Sequence, residues 1–286
     1  MFQQIDTRVP SQVEEQVLTI YKRLFPYGNP GFVSHAFGWA EQCFFGQYAD
    51  YAPIDALYHD FEHTLQGTLC LARLLHNRQF TGATPEISAR MFELTLLAIL
   101  FHDTGYLKKR GDKEGTGAKY TPIHVSRSGH FANEFLTQQG FGEEDISIVQ
   151  NLISCTGVNA DLKTIPFRSE LEKMLGFALA TADLLGQMAA PDYVDKLPVL
   201  YQEFTEATHY YNDPRSVRYR FSSAEDLMKN TPAFWEKYVF PKINGDFLQL
   251  YRFLSEPYPN GPNPYLERIE ANISRIREKL AAREKT

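Results

Sequence analysis

Apolar residues recur along most of the chain at intervals of three and four positions. In one segment Leu65, Leu69, Ala72 and Leu75 follow this spacing, which places them on one face of a helix. No region shows the alternation that is typical of strands. The pattern therefore predicts an all-α fold, built as a helical bundle. Helices are expected at residues 13–25, 32–47, 55–77, 126–138, 143–154, 169–187 and 265–285.

Turn-forming residues separate the predicted helices. Thr84 and Pro85 suit the N-cap and the first position of a further helix, which would run to Phe101. Residues 104–121 contain four glycines and no apolar period, so we expect a loop there. Prolines are expected to divide the region after residue 190 into shorter helices, and residues 257–264 should form a turn-rich linker.

The composition narrows the class of protein. The chain has 286 residues, of which 43% are hydrophobic, so it can bury a sizeable core. Its net charge of -6 argues against a broad nucleic-acid-binding face. The widely spaced Cys43, Cys70 and Cys155 indicate neither a disulfide framework nor a thiolate zinc site. Without a visible signal peptide or a membrane-spanning apolar run, the protein is expected to be cytoplasmic.

Three segments combine histidine or aspartate with apolar neighbours. His59 and His63 are four residues apart, so a helix would place them one turn from each other on one face. His102 and Asp103 stand together at the end of an apolar helix. Asp183 lies within another apolar segment. Histidines and acids on three separate helices suggest a common site.

A metal ion would explain these residues together. Burying one uncompensated carboxylate is costly, and a metal ion would compensate both acids at once. Two imidazoles with two carboxylates suit Mn, Fe, Zn or Mg, and they leave open positions for water and substrate. A metal-activated water is the nucleophile of phosphoester hydrolysis. Taken singly, Asp103 could cap a helix, the histidine pair could be half-buried, and Asp183 could be a satisfied core acid; taken jointly, they favour a metal site.

The arrangement resembles the HD-domain superfamily of metal-dependent phosphohydrolases over about residues 50–190. Within that superfamily, residues 58–63 resemble the Tyr-His-x-x-x-His segment of the cyclic-nucleotide phosphodiesterases. The resemblance implies His63, His102, Asp103 and Asp183 as ligands of one or two divalent metal ions. It also implies His59 as the group that protonates the leaving oxygen, a role that suits a side chain titrating near neutrality.

The resemblance also implies an architecture. The chain would be a single helical domain over residues 1–286, with an HD-domain helical bundle at about 50–190 and additional C-terminal helices at about 191–286. Two departures from the family leave the number of metal ions open. Tyr106 stands where the phosphodiesterases have a further histidine, and residues 153–156 lack the histidine pair of two-metal members.

Several residues are candidates for substrate binding. His124 resembles a histidine that opens a helix in many HD proteins and could contact a second metal or the phosphate; the alternative is a solvent-exposed loop histidine. Lys109 could hold a phosphate, or belong with Lys108 and Arg110 to a solvated charge run. Gln187, four residues after Asp183, could reach the pocket or cap its helix. Tyr210, Tyr211 and the stretch from Arg215 to Arg220 could shape the pocket, and Arg127 is a further phosphate candidate.

The leading hypothesis is a phosphodiesterase-like, metal-dependent phosphohydrolase that uses His59 and Asp103 as catalytic residues. Its expected partner is a small phosphorylated substrate, such as a nucleotide or cyclic nucleotide, and not a membrane. A different class remains open: a metal-containing nucleotide-binding or regulatory module with little catalysis. A di-iron oxygenase ranks last because it would need more histidine ligands than the sequence offers. Homo-oligomerisation also stays open.

Overall fold

The structure is a computed structural model that describes residues 5–158, 160–210 and 221–283. Within these ranges it contains no β-strand, and one isolated bridge pairs Tyr51 with Lys109. The predicted all-α fold is therefore confirmed. The helices are α1 (Pro10–Leu24), α2 (Gly31–Phe44), α3 (Phe61–Phe80), α4 (Ala89–Phe101), α5 (His124–Gln138), α6 (Glu143–Ile153), α7 (Glu170–Met188), α8 (Tyr193–Tyr210), α9 (Ala224–Phe234), α10 (Phe240–Asn244) and α11 (Pro264–Arg283).

Helices α3, α4 and α7 form the centre of the molecule. Every residue of α4 from Phe92 to Phe101 is buried, as expected for a helix that is apolar on all sides. The backbones of α3 and α7 touch at Gly186, where an added Cβ atom would lie 2.8 Å from the backbone of Gln66 and Gly67. This close approach of α3 to α7 brings the functional residues of both helices together.

Helix α3 begins later than predicted. Asp60 is its N-cap, and the carboxylate accepts a hydrogen bond of 2.8 Å from the backbone N–H of His63. The expected helix from residue 55 is therefore wrong at its start, because the chain before Asp60 is not helical. His59 precedes the helix and does not share a helical face with His63.

The predicted start of α4 is also wrong. The helix begins at Ala89 because Ser88, and not Thr84, is the N-cap; its hydroxyl accepts from the backbone N–H of Met91 at 3.2 Å. The Gln79 side chain binds the backbone N–H of Ile87 at 3.1 Å and so holds the preceding segment in a non-helical conformation.

The predicted loop at residues 104–121 contains more local structure than expected. Short 3-10 helices form at Thr104–Tyr106 and Gly117–Ile123. The Thr116 hydroxyl caps the second one by accepting from the N–H of Ala118 at 3.2 Å. Short capped turns of this kind need no apolar period, which is why the pattern did not indicate them.

The C-terminal part departs from the proline-based prediction. Helices α8 and α9 continue through Pro198 and Pro232, so neither proline ends a helix. Each proline removes one backbone hydrogen bond, and packing of the apolar face against the core offsets that loss. The linker expected at residues 257–264 is confirmed up to Asn263, and α11 follows it with Ile269, Ile273 and Ile276 buried. No described helix combines the length and apolarity needed to cross a membrane.

Candidate metal centre

The four residues predicted as metal ligands lie together. His63 comes from the first turn of α3, His102 and Asp103 directly follow α4, and Asp183 lies in α7. The Nε2 atom of His63 is 3.2 Å from Asp103 Oδ2 and 3.3 Å from Asp183 Oδ1. The Nε2 atom of His102 is 3.3 Å from each of the same two oxygens. All four side chains are buried. We call His63, His102, Asp103 and Asp183 the metal centre.

The orientation of His102 and Asp103 suits a cation. The Nδ1–H of His102 donates to the carbonyl oxygen of Ile99 at 2.7 Å, so its Nε2 carries a free lone pair when the ring is neutral. Within the described chain, His102 Nε2 and Asp103 Oδ2 are buried and make no hydrogen bond. Buried polar atoms are nearly always satisfied, and a bound ion would satisfy both. The donors of His63, His102 and Asp103 could therefore hold a metal ion.

The charges of the centre support the same conclusion. Burial would lower the pKa of His63, but the carboxylates of Asp103 and Asp183 outweigh it and raise that pKa to about 10. Burial likewise opposes ionisation of Asp103, yet the imidazoles of His102 and His63 hold its pKa well below the usual range. The two carboxylates therefore favour protons on the imidazoles in the absence of a metal ion. A divalent ion would displace those protons.

Glu203 of α8 holds His59 beside the metal centre. Its Oε2 lies 2.6 Å from His59 Nδ1, and its Oε1 accepts from the backbone N–H of Tyr58 at 2.7 Å. Burial would raise the pKa of Glu203, but the charge of His59 outweighs it and lowers that pKa. The ring centroids of His59 and His63 are 5.3 Å apart, so the two rings are neighbours although His59 is outside the helix.

Three aromatic rings are stacked next to the centre. Tyr106 lies between His59 and His124, with centroid distances of 4.5 Å and 4.8 Å. His124 Nε2 is 3.9 Å from Asp103 Oδ1, and its side chain is only 19% exposed. The alternative of a solvent-exposed loop histidine is therefore wrong. Gly105 permits this packing because a Cβ atom there would lie 2.0 Å from the His124 carbonyl oxygen.

A cavity of about 380 Å³ opens onto the metal centre. One wall consists of His63, Asp103 and Asp183 of the metal centre together with His59 and His124. Helices α7, α8 and α9 supply walls that are mostly apolar. The lining residues are His59, His63, Asp103, Tyr106, Thr121, His124, Thr156, Val158, Asp183, Leu184, Gln187, Met188, Tyr193, Leu197, Leu200, Phe204, Phe221, Leu227, Asn230, Thr231, Phe234 and Tyr238.

The structure does not bring Lys109 to the cavity. Its ammonium group lies 3.7 Å from the centroid of the Tyr51 ring, and the residue is exposed. The bridge between Tyr51 and Lys109 turns this part of the chain away from the metal centre. The neighbouring Lys108 pairs with Asp55 at 2.9 Å, and Arg110 donates to the carbonyl oxygen of Gly46 at 2.6 Å. Lys108, Lys109 and Arg110 therefore all make local contacts within the protein and do not face the cavity.

The other substrate candidates have different positions. Gln187 does line the cavity, but its Oε1 accepts from the Tyr58 hydroxyl at 2.9 Å and its Nε2 donates to the Asp183 carbonyl oxygen at 3.3 Å. Arg127 donates to the carbonyl oxygens of Gly105 and Leu107, so it fixes the backbone after the metal centre. The candidate positions 211–220 lie outside the described residues.

Glu203 is the functional candidate that the sequence did not reveal. It lies 144 positions from His59, on a helix whose acids carry no recognisable motif. In the structure Glu203 is buried on α8. Glu206, one turn later, is half-buried and its carboxylate accepts a hydrogen bond of 2.7 Å from the Thr116 hydroxyl. The sequence alone does not distinguish these two acids.

Comparison with known families adds one assignment. A family model described as Npun_R2479-like matches residues 109–255, which is just over half of the chain. The chain belongs to the Npun_R2479-like family. The matched region contains Asp183, Glu203 and the apolar walls, and it begins after His63, His102 and Asp103. No curated protein matches the chain significantly.

Proposed function

We propose that the chain is a metal-dependent, phosphodiesterase-like phosphohydrolase with the character of an HD-domain protein. The observation that carries the proposal is the close approach of two imidazoles and two carboxylates, three of which line one cavity beside a third imidazole held by its own carboxylate. A structural role alone would not require buried acids and histidines to face a cavity.

The metal centre fits a divalent ion of the Mn, Fe, Zn or Mg group. Its donors are nitrogen and oxygen atoms, and two of them lack any hydrogen bond within the described chain. When bound, such an ion would polarise the phosphate and lower the pKa of the attacking water. His63, His102, Asp103 and Asp183 would hold it, which leaves positions open toward the cavity.

The protein's own groups then have distinct roles. Asp103 and Asp183 present carboxylate oxygens that orient the attacking water and accept a hydrogen bond from it. His59 lines the cavity and has its Nδ1 bound to Glu203, so Nε2 is the atom that delivers a proton to the leaving oxygen. Glu203 stabilises the protonated imidazole and fixes its ring, and it is therefore a positioning residue.

The proposal is tested by hydrolysis of bis(p-nitrophenyl) phosphate with Mn, Mg, Zn or Fe added in turn. We expect metal-dependent turnover that falls about a thousandfold or more in Asp103→Ala. The matched control is Asp161→Ala, because Asp161 is exposed and only caps a local turn through the backbone N–H of Lys163. The control should retain wild-type turnover.

One result would favour the alternative function. If elemental analysis finds a bound metal ion and no metal supports turnover of any phosphoester, the chain is a metal-containing binding or regulatory module. Turnover that persists in Asp103→Ala would instead show that the metal centre is not the reaction site.

A further inference from the structure

The walls of the cavity differ in chemistry. The imidazoles and carboxylates occupy the wall nearest the metal centre, and the opposite walls carry aliphatic and aromatic side chains from three helices. Most of these apolar residues are buried or half-buried. They include Leu184 and Met188 of α7, Leu197, Leu200 and Phe204 of α8, and Leu227 of α9.

Several polar groups within the apolar walls are already engaged within the protein. The Thr231 hydroxyl donates to the carbonyl oxygen of Leu227 at 2.9 Å, and the Thr156 hydroxyl donates to that of Ile153 at 2.9 Å. Gln187 uses both ends of its amide within the protein, as described above. The two threonine hydroxyls therefore have no hydrogen left to donate to a ligand, and the Gln187 amide has one N–H group left. Among the described lining residues there is also no lysine or arginine.

A nucleobase or a sugar would be poorly matched by such walls. Each buries several hydrogen-bonding groups, and a buried polar group without a partner is unfavourable. A hydrocarbon group has no such requirement and gains from leaving water. The volume of about 380 Å³ is within the range of small-ligand pockets.

We infer that the substrate is a phosphoester of an apolar alcohol, aliphatic or aromatic, and not a nucleotide. The phosphoester faces the metal centre, and the hydrocarbon group lies against α7, α8 and α9. This inference rests on the proposed function for the reaction, but the preference for a hydrocarbon group depends only on the walls.

The first test compares methyl p-nitrophenyl phosphate with hexyl p-nitrophenyl phosphate, which share one leaving group. A methylene that becomes half-buried should raise kcat/KM about twofold, so five more methylenes should raise it about 30-fold. Equal kcat/KM for the two esters would overturn the inference. Faster hydrolysis of 3′,5′-cyclic AMP than of the hexyl ester would overturn it as well, while leaving the proposed phosphohydrolase intact.

The second test measures binding without turnover. Calorimetric titration of the Mn-loaded protein should give at least about tenfold tighter binding of dihexyl phosphate than of dimethyl phosphate. If this preference holds while no ester is hydrolysed, the proposed function fails and the apolar binding site stands. If both phosphates bind equally, the inference fails whatever the activity.

A matched pair of phenylalanines locates the hydrocarbon group. Phe234 lines the cavity and is 36% exposed, whereas Phe240 is 38% exposed and is not part of the lining. Each ring also contacts an aromatic neighbour: Phe234 contacts Tyr238, and Phe240 contacts Trp235. The hexyl-to-methyl ratio should fall about three- to tenfold in Phe234→Ala and stay unchanged in Phe240→Ala. An unchanged ratio in Phe234→Ala would contradict the placement.

Discussion

Two clusters of acids lie near the start of α3, and they differ in whether they contain a permanent cation. In the first, Lys196 Nζ lies 3.5 Å from Asp60, 3.0 Å from Glu62 and 3.3 Å from Asp192. Burial would lower the pKa of Lys196, but these acids outweigh it and raise that pKa. The second cluster is the metal centre, which is more deeply buried and contains no permanent cation.

The comparison shows which kind of acidic cluster indicates a ligand. The cluster around Lys196 contains its own cation, although three carboxylates share it and Asp192 Oδ1 is buried without a hydrogen bond within the described residues. The metal centre has only imidazoles, which are cationic only while protonated, so an external ion can replace their protons. Burial together with the lack of a built-in cation distinguishes a candidate site from a structural ion network.

The largest expected effect separates the two clusters by metal affinity. Asp183→Ala should weaken Mn²⁺ binding about 100-fold or more, because it removes a donor from the centre. Asp192→Ala should change the affinity less than about threefold, since Asp192 serves Lys196. Calorimetric titration of both variants, with circular dichroism to confirm folding, measures the difference. Similar losses in both variants would mean that the two clusters act as one.

An intermediate effect is expected from the carboxylate that holds His59. Glu203→Gln keeps the size of the side chain and removes the charge that stabilises the protonated ring. We expect kcat for bis(p-nitrophenyl) phosphate to fall about 10- to 100-fold with little change in KM or in Mn²⁺ affinity. The matched control is Glu206→Gln, one turn along α8, where the carboxylate binds Thr116 outside the metal centre. A rise in KM without loss of kcat would contradict the positioning role.

The smallest effect concerns stability. Lys196→Met leaves three acids without their cation and should lower the free energy of unfolding by about 1–2 kcal/mol, with Mn²⁺ affinity unchanged. Urea titration measures this loss, which should shrink in 1 M salt because the repulsion is screened. Lys229→Met is the control: its pair with Glu225 is exposed, so a loss below about 0.5 kcal/mol is expected. An equal loss in both variants would remove any special role for Lys196.

The sequence predicted the fold and the residues of the metal centre better than the residues that line the rest of the cavity. The helical period identified most helices, and the joint occurrence of His63, His102, Asp103 and Asp183 in apolar surroundings identified the cluster. The helix starts were predicted less well. Helices α3 and α4 begin after Asp60 and Ser88, later than expected, because several residues before each helix could serve as its N-cap. The metal itself, its number and the reaction stay predictions.

The rest depended on contacts between distant segments. Glu203 meets His59 only because α8 folds across the start of α3, and no local pattern encodes that crossing. The interpretation of Lys109 depended on nearness to Asp103 in the sequence, whereas the backbone turns after Tyr106 and directs Lys109 toward Tyr51. Distance along the chain was a poor guide in both cases.

Helix α8 has a double role that constrains motion. The same helix carries Glu203, which anchors His59, and Leu197, Leu200 and Phe204, which form a wall of the cavity. Any outward swing of α8 that widens the entrance must also draw the carboxylate away from the imidazole. Under the proposed function, a position of α8 that admits a bulky ligand would also leave His59 without its carboxylate, so proton delivery would require α8 to lie close to the cavity again.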